Sequence, residues 1–448
     1  MLLLRLALFL SAAWMEGSLD HALTLARQHR FQEAATEVAS APVPTDPREL
    51  VSYHRLKAAI ASGLGDAGSA ETEMNAALSL APDDSSLQVA AAIAGLQARL
   101  HTPEQSSAIA RLASLNLPVS LRLAMNLQAG QILADAKQDA DAAPFLERAA
   151  DLDPRRPDIA FNAALSYFHA GAWDKAARFA ARAKASGDSA TIEALLGDIA
   201  EKRNDPLTAV RAYEAAVELE PGEERRRITL ALELLRHQTF PAAVAVLEQA
   251  AQLFPVSSKL QMLLGLSYFL VDRSADASAA LIKAVHLAPL DQAAAHYLAQ
   301  ITFLDTATPE SAAVALICQS PGEEAYCGAI QLRIAKENTN LSGLPEIIAK
   351  LQNAAQRDPS DALPRCQLGK AFEMQNHWER SRNEMEICVA RQPGSTENHY
   401  RLARIYRQLG LKEKAAEQTR LQQQAALQES AASTQRADAV HKFLFELR

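Results

Sequence analysis

Aromatic residues are scarce in this chain of 448 residues: they make up only 5% of it, although 49% of all residues are hydrophobic. Alanine and leucine therefore supply most of the apolar surface, and both residue types favour helices. Glycine (17) and proline (20) are modest in number, so the chain is neither collagen-like nor broadly disordered. A single core rarely exceeds about 250–300 residues, so the length predicts several domains or an elongated array of repeats.

An excess of basic residues is also missing. Lys and Arg total 45, Asp and Glu total 53, and the formal net charge is −8. A general nucleic-acid-binding surface needs positive charge to neutralise phosphates. We therefore predict no nucleic-acid partner.

Motifs that carry chemistry are missing as well. The chain has eleven histidines but no HExxH, GxSxG, GxxxxGK[ST] or CxxC, so we predict no enzyme activity, no metal site and no cofactor. Residues 63–68 match GxGxxG, yet a dinucleotide fingerprint must follow a strand, and the segment before this match has a helical pattern. We interpret these glycines as a turn between two helices.

The N-terminus reads MLLLRLALFLSAAWMEGS. Its apolar run is too short to span a bilayer, which takes about 20 residues. Arg5, the short apolar run and Ser11-Ala12-Ala13 are typical of a secretory signal peptide. We predict a signal peptide at residues 1–13, no transmembrane segment in the mature chain, and a periplasmic or secreted location. The alternative is a frayed first helix in a cytoplasmic protein.

Prolines recur at a fixed interval. Pro221, Pro255 and Pro289 are 34 residues apart in each step, and so are Pro359 and Pro393. Counting back from each proline, the same residue types fall in the same places: Leu-Gly pairs stand at 196–197, 264–265 and 368–369, and alanines stand at 142, 209, 243, 277 and 415. Self-similarity at such an interval indicates a repeat architecture.

This pattern resembles the tetratricopeptide repeat, a 34-residue helix–turn–helix with small residues at its eighth, twentieth and twenty-seventh positions. In one repeat, Gly265 and Ala277 would let two antiparallel helices touch, and Pro289 would end the second helix. The resemblance covers residues 15–429, with weaker repeats near 85–122 and 292–361. It implies an all-α solenoid, a right-handed superhelix of about twelve repeats that begin near Met15, Val51, Ser85, Leu123, Pro157, Ala190, Glu224, Ser258, Gln292, Gly328, Ala362 and Thr396.

Ligands of this family usually lie in a groove lined by the first helix of each repeat. Mapped onto this chain, that line contains Phe161, Leu165, Phe168, Met262, Leu266, Phe269, Leu270, His296, Phe303, Tyr400, Arg404 and Arg407. The apolar members suit an amphipathic helix or an extended peptide, and Tyr400 with the two arginines suits an acidic ligand. The alternative is that these side chains only pack between neighbouring helices.

The four cysteines also fall at particular places in the repeats. Cys366 and Cys388 stand at facing ends of one antiparallel helix pair, and Cys318 and Cys327 flank a turn between successive repeats. Both pairs are candidates for disulfides if the protein is exported. The alternative is four buried thiols that behave as small hydrophobic residues.

The last segment, residues 430–448, departs from the repeat. A linker leads to Val440, Phe443, Leu444 and Leu447, which would share one helical face. That stripe either docks back onto the array or is a short peptide for a partner.

The resemblance, with no catalytic motif beside it, predicts a non-enzymatic scaffold that binds a protein or peptide partner through the groove. One alternative is an envelope module that binds glycan or peptidoglycan, although few aromatic residues are available to stack on sugars. Another alternative is a cytoplasmic assembly or regulatory factor with reduced cysteines.

Overall fold

The structure is a computed structural model that describes residues 18–305 and 307–428. Within these residues the regular elements are all α-helices, and no strand occurs. The chain packs as two compact parts, an N-terminal half ending at Asp205 and a C-terminal half beginning at Pro206. The expected signal peptide and the segment 430–448 lie outside the described residues. No helix in the described ranges is long and apolar enough to cross a membrane.

The helices of the N-terminal half follow one another through short turns. They are α1 (Ser18–Arg27), α2 (Phe31–Ser40), α3 (Pro47–Gly63), α4 (Ala67–Leu80), α5 (Ser85–Ala98), α6 (Gln105–Ser114), α7 (Val119–Asp135), α8 (Asp139–Leu152), α9 (Pro157–His169), α10 (Trp173–Ser186) and α11 (Ala190–Lys202).

The C-terminal half continues in the same manner. Its helices are α12 (Pro206–Leu219), α13 (Glu224–Arg236), α14 (Phe240–Leu253), α15 (Ser258–Leu270), α16 (Ser274–Leu287), α17 (Gln292–Leu304), α18 (Ser311–Gln319), α19 (Glu324–Glu337), α20 (Leu344–Arg357), α21 (Leu363–Met374), α22 (Trp378–Arg391) and α23 (Thr396–Gln408). A further helix, α24, covers residues 412–428. The predicted all-α solenoid of helix pairs is confirmed, and many first helices begin where the proline spacing places a repeat start.

The two helices of a repeat meet at a small residue. At Gly265, an added Cβ atom would lie 2.6 Å from Leu281 Cγ and 3.1 Å from the carbonyl oxygen of Ala277. A glycine inside a helix costs about 1 kcal/mol relative to alanine. The residue therefore serves the close approach of α15 and α16 rather than the helix itself.

The turn inside most repeats closes on a left-handed residue. Asp272 has a φ of 60°, and the amide of the next residue, Arg273, donates to the carbonyl of Tyr268 at 2.9 Å. This bond satisfies a free carbonyl at the end of α15, as in a Schellman motif. Residues of several types take the same place in other turns: His29, Gly65, Lys137, Gly171, Asn204, Gln238, Asn376 and Gly410. The turn between α3 and α4 covers residues 64–66, so the GxGxxG match at 63–68 spans a turn between two helices, as predicted.

Successive repeats are linked by a recurring hydrogen bond between a tyrosine and a glutamate. The hydroxyl of Tyr268 on α15 donates to Glu248 Oε1 on α14 at 2.9 Å. The tyrosine lies on the first helix of one repeat, and the glutamate lies 20 residues earlier on the second helix of the preceding repeat. The same pair recurs as Tyr167 with Glu147 and as Tyr406 with Glu386.

The expected repeat start at Gly328 is wrong. The helix α19 begins at Glu324, and Gly328 lies inside it, where an added Cβ atom would be 2.8 Å from Leu351 Cδ2. Gly328 is therefore the close-approach glycine of this repeat rather than its first residue. Because α19 ends at Glu337 and α20 begins at Leu344, the turn between them is long. The 34-residue pattern is therefore weak in this repeat.

Arg333 caps the end of α17. Its guanidinium donates to the carbonyl of Thr302 at 2.9 Å and to that of Phe303 at 3.3 Å, and it also bonds the carbonyl of Asp305. These are carbonyls that lack a partner within the helix. A side chain of the next repeat thus fixes where α17 ends, and the short α18 follows.

Two disulfides lie in the C-terminal half. One joins Cys318 on α18 to Cys327 on α19, and the other joins Cys366 on α21 to Cys388 on α22, each with a Cα–Cα distance of 5.0 Å. These are the two pairs expected from the sequence, and no cysteine is left free. The first bridge links successive repeats and the second holds one helix pair together.

Candidate functional site

First helices of successive repeats lie side by side. In the C-terminal half, α15 contacts α17, α17 contacts α19, and α19 contacts α21. Side chains at equivalent positions of these helices therefore share one surface, and we call the outward side of α15, α17, α19, α21 and α23 the groove face. In the N-terminal half, α9 and α11 contact each other in the same way.

On α9, the structure places Phe161, Leu165 and Phe168 on one side of the helix. All three are half-buried and pack against the core formed around α8, α9 and α10. Their spacing of three and four residues puts them on one stripe. Each side chain thus contacts the core with one part and leaves another part accessible.

Phe161 also lines a shallow pocket of about 390 Å³ between the N-terminal ends of α9 and α11. The turn at residues 187–189 has no proline, unlike the turns that close most other repeats, and all three of its residues line the pocket. The surface combines apolar and acidic groups: its lining includes Pro157, Asp158, Phe161, Asp188 and Ile192.

On α15, Met262, Leu266 and Phe269 form a second half-buried stripe, packed against the core of α16 to α18. Two leucines extend it toward solvent. Leu270 at the end of α15 is 46% exposed, and Leu304 at the end of α17 is 61% exposed. Large apolar side chains thus stay open to solvent at the same end of two adjacent first helices.

Three rings of neighbouring helices meet on the groove face. Phe303 on α17 and Tyr326 on α19 have centroids 5.8 Å apart, and His296 lies 5.7 Å from Tyr326, both in edge-to-face geometry. Such contacts stabilise pairs of rings beyond the area they bury. The sequence analysis missed Tyr326 because a repeat start at Gly328 placed it outside the first helix. Assigning Gly328 to the recurring small position of the repeat, as at Gly265, would have placed Tyr326 inside that helix.

A buried carboxylate lies beside these rings. Glu323, at the start of α19, is 5% exposed, and its Oε1 is 3.1 Å from His296 Nδ1. Burial raises the pKa of Glu323, and the contact with His296 acts in the opposite direction. The His296–Glu323 pair therefore ties α17 to the beginning of α19 beneath the aromatic rings.

At α23, the predicted groove residues Tyr400, Arg404 and Arg407 are exposed. Arg404 is not a free cation, since its Nε lies 3.1 Å from Oε1 of the buried Glu373. Arg407 donates from Nε to the carbonyl of Ala403 at 3.3 Å. The side chains most open to a ligand here are therefore Tyr400 and Arg407.

Positive charge is in excess in this part of the groove face. Arg401 donates to Glu373 at 3.0 Å and to Glu397 at 2.8 Å, and Lys370 Nζ lies 2.9 Å from Glu397. Burial lowers the pKa of Lys370, and the charge of Glu397 opposes this. With Arg404, three cations share two carboxylates, which leaves room for a negative charge from a ligand.

The groove face thus offers apolar side chains, aromatic rings and ion pairs. In the part of the chain that the structure describes, no group of three or more His, Cys, Asp or Glu residues is arranged to hold a metal ion. This set of groups fits non-covalent recognition of side chains.

The sequence profile of the tetratricopeptide repeat matches residues 228–291 and 366–429. Among proteins of curated function, none matches this chain. Similar solved structures include YrrB, described as a tetratricopeptide protein with an unusual peptide-binding site (19% identity over 39% of this chain and 90% of that one, TM-score 0.34). Another is the C-terminal part of a repeat protein from Cytophaga hutchinsonii (14% identity over 61% of this chain and 98% of that one, TM-score 0.42). A third is MamA from Desulfovibrio magneticus RS-1 (16% identity over 38% of this chain and 97% of that one, TM-score 0.34).

The helix pairs and their regular stacking define an all-α solenoid. Residues 228–291 and 366–429 of this solenoid match the tetratricopeptide repeat in sequence as well as in helix pairing. Solenoids of stacked repeats present extended surfaces that can bind a ligand.

Proposed function

We propose that this protein is a non-enzymatic scaffold that holds a peptide segment of a partner protein on the groove face of its C-terminal half. The observation that carries the proposal is the apolar stripe of α15 and α17, which ends in the exposed Leu270 and Leu304. Exposed apolar side chains that adjoin a half-buried stripe are the usual features of a peptide-binding groove.

The charges on the groove face suggest the chemistry of the partner. The aromatic cluster around Tyr326 favours large apolar side chains, while the cations of α21 and α23 exceed their carboxylates. A segment with apolar residues on one side and an acidic end would match both. The acidic end would lie toward Tyr400 and Arg407.

The disulfides support a place of action in an oxidising compartment. Cytosolic proteins seldom keep stable disulfides, and two bridges are formed here. A periplasmic or secreted partner is therefore part of the proposal.

The proposal is tested with fluorescent amphipathic peptides of about eight helical turns, about 43 Å, which can reach from α15 to α23 because packed helices lie about 8–10 Å apart. They are made with and without a C-terminal Glu-Glu pair. Binding is measured by anisotropy against the full chain. The double variant Leu270→Glu/Leu304→Glu should weaken binding at least tenfold, because two charges would lie in the apolar stripe. Peptides with the acidic pair should bind more tightly than those without it.

A matched control is Leu64→Glu/Val119→Glu. It changes a leucine and a valine in the N-terminal half whose exposed fractions (47% and 57%) are similar to those of Leu270 and Leu304. This control should bind as the wild type does. Equal binding by the Leu270/Leu304 variant, with its helicity intact, would show that the groove face of α15 and α17 is not the site. Tight binding of a glycan instead of any peptide would favour the module for envelope sugars.

A further inference from the structure

The two disulfides differ in how far they are open to solvent. Cys327 is 2% exposed, but its partner Cys318, near the end of α18, is half-buried. Cys366 and Cys388 of the second bridge are both buried, at 4% and 0% exposed. A thiol that approaches from solvent therefore reaches Cys318 more readily than any of the other three cysteines.

A lysine lies beside the buried sulfur of the first bridge. Lys350 on α20 is half-buried, and its Nζ is 3.8 Å from Cys327 Sγ. The ammonium also donates to Gln331 Oε1 at 3.0 Å, and within the part of the chain that the structure describes it pairs with no carboxylate. Its positive charge is therefore available to a thiolate on Cys327.

The second bridge has neutral neighbours instead. Cys366 Sγ contacts Gln392 Oε1 at 3.7 Å and Asn398 Nδ2 at 3.8 Å. Neither side chain carries a charge that could stabilise a thiolate on Cys366 as an ammonium would.

Other charges on the helices around the first bridge do not cancel that of Lys350. The helix α18 contains no charged residue. The carboxylates nearest in sequence to Cys327 and Lys350 are paired elsewhere or exposed: Glu323 pairs with His296, Glu324 pairs with Arg357, and Glu346 is exposed.

Helix ends act alike in both bridges. Cys327 and Cys366 lie in the first turns of α19 and α21, whereas Cys318 and Cys388 lie in the last turns of α18 and α22. A thiolate is stabilised at the N-terminal end of a helix and disfavoured at the C-terminal end. Helix ends therefore favour Cys327 over Cys318 as the leaving sulfur, but only Lys350 and solvent access distinguish the first bridge from the second.

We propose that Cys318 is a site of thiol–disulfide exchange, at which a thiol of another molecule opens the bridge to Cys327. The incoming thiolate attacks Cys318 Sγ and forms a mixed disulfide with it. The bond between the two cysteine sulfurs breaks, and its electron pair leaves on Cys327 Sγ beside the ammonium of Lys350. A leaving thiolate is expelled faster when a cation stabilises it.

A dithiol completes the reduction. Its second thiolate attacks its own sulfur in the mixed disulfide and releases Cys318 as a thiolate. The dithiol is thereby oxidised to a disulfide by two electrons, and the bridge accepts the same two electrons and, from water, two protons to become two thiols. A monothiol stops at the first step and leaves Cys318 modified.

Opening the bridge releases α18 from α19. The helix α18 has 9 residues, and among them only Ala313 and Ile317 are buried hydrophobic side chains. Few apolar contacts therefore hold α18 once the covalent link is lost, and regions with few such contacts open locally with low free energy. Exchange at Cys318 thus controls the local stability of α18, and this inference does not depend on peptide binding at the groove face.

The first test is limited reduction of the oxidised full chain with dithiothreitol, followed by rapid alkylation and mass mapping of peptides. The bridge between Cys318 and Cys327 should open at least about tenfold faster than that between Cys366 and Cys388, because it has both solvent access and a cation at its leaving sulfur. With glutathione instead, the mixed disulfide should form on Cys318, and alkylation should trap the released Cys327. Hydrogen exchange should then rise in α18, while α21 and α22 stay protected.

The second test removes the cation. Lys350→Met should slow the opening of the first bridge by about threefold or more, because the leaving thiolate loses its counter-charge. Lys350→Arg keeps the charge and should restore most of the rate. Lys259→Met is the matched control, since Lys259 is an exposed lysine on α15, and it should react as the wild type does. Circular dichroism checks that each variant is folded.

Three results would overturn the proposal. The first is a bridge between Cys366 and Cys388 that opens as fast as the other one. The second is a glutathione adduct on Cys327 instead of Cys318. The third is a folded Lys350→Met variant whose first bridge opens at the rate of the wild type.

Discussion

Tyr268 on α15 donates a 2.9 Å hydrogen bond to Glu248 on α14, and the guanidinium of Arg273 lies 4.2 Å from the centre of the tyrosine ring. The bond crosses from one repeat to the one before it. Repeat arrays are stabilised by contacts between neighbours, so this pair contributes to the stability of the interface between two repeats.

We predict that Tyr268→Phe lowers the free energy of unfolding by about 1 kcal/mol, the usual contribution of a hydrogen bond. Urea unfolding of the full chain measures it. Tyr400→Phe is the matched control, because Tyr400 lies exposed on α23, and it should change stability by less than about 0.5 kcal/mol. An equal loss in both variants would mean that the bond to Glu248 contributes nothing.

The same pair predicts a dependence on alkaline pH. The pKa of Tyr268 is raised to about 12, above its ordinary value of about 10. Burial is the larger cause, and the hydrogen bond to Glu248 is the second. A raised pKa in the folded protein gives stability that is full below the unfolded pKa and is lost as pH rises through the folded one. Between about pH 10 and 12 the wild type should therefore lose more stability than Tyr268→Phe does, as thermal unfolding at each pH would show.

Two adjacent carboxylates should respond to pH in opposite directions. Burial raises the pKa of Glu323. At Glu324 burial acts the same way, but hydrogen bonds from the backbone and from Arg357 outweigh it and lower the pKa. Glu323 therefore contributes stability that falls as pH rises above the ordinary glutamate value, whereas Glu324 contributes stability that falls as pH drops below it.

The variants Glu323→Gln and Glu324→Gln test this difference. Relative to the wild type, Glu323→Gln should lose less stability between pH 4 and 7, because a neutral amide has no charge to bury. Glu324→Gln should be less stable than the wild type at pH 7, and the difference should shrink toward pH 3. Parallel curves for the two variants would contradict the assigned environments.

The two disulfides should differ in their effect. The bridge between Cys318 and Cys327 spans 9 residues, and that between Cys366 and Cys388 spans 22. The loop-entropy relation gives about 2.6 kcal/mol for the first and about 3.4 kcal/mol for the second. Replacing Cys366 and Cys388 with serine should therefore lower the free energy of unfolding more than replacing Cys318 and Cys327 does, as measured by urea unfolding.

Intact mass is the control for the disulfide experiment, because each bridge adds about 2 Da on reduction. The wild type should gain the mass of two bridges, and each double-serine variant that of one. A wild type that gains nothing would show free thiols, and the order of stabilities would then have another cause.

Close packing at Gly265 predicts an unusual response to alanine. Gly265→Ala improves helix propensity by about 1 kcal/mol, yet its Cβ would lie 2.6 Å from Leu281 Cγ, and overpacking costs about 1–3 kcal/mol. We expect net destabilisation in thermal unfolding. Gly68→Ala, where the nearest atom is 3.7 Å away, should be neutral or stabilising, and a stabilising Gly265→Ala would show that α15 and α16 separate easily.

Much of the fold was readable from the sequence. Prolines at intervals of 34 residues and small residues such as Gly265 and Ala277 predicted helix pairs, because only small side chains let two helices touch. The turn within residues 63–68 was predicted because the segment before it has a helical pattern and is not the strand that a dinucleotide fingerprint must follow. The residue with a positive φ in each turn was not predicted, because residues as different as Asp272 and Lys137 occupy that position.

Residue sizes and intervals along the chain are enough to specify its periodic part: the helix pairs, the alternation of first and second helices, and the two candidate cysteine pairs. Packing between repeats set the rest: the shifted start of α19, the contact of Tyr326 with His296 and Phe303, and the ion pair of Arg404 with the buried Glu373. Such contacts join residues of different repeats, and their geometry depends on how neighbouring helices pack against each other.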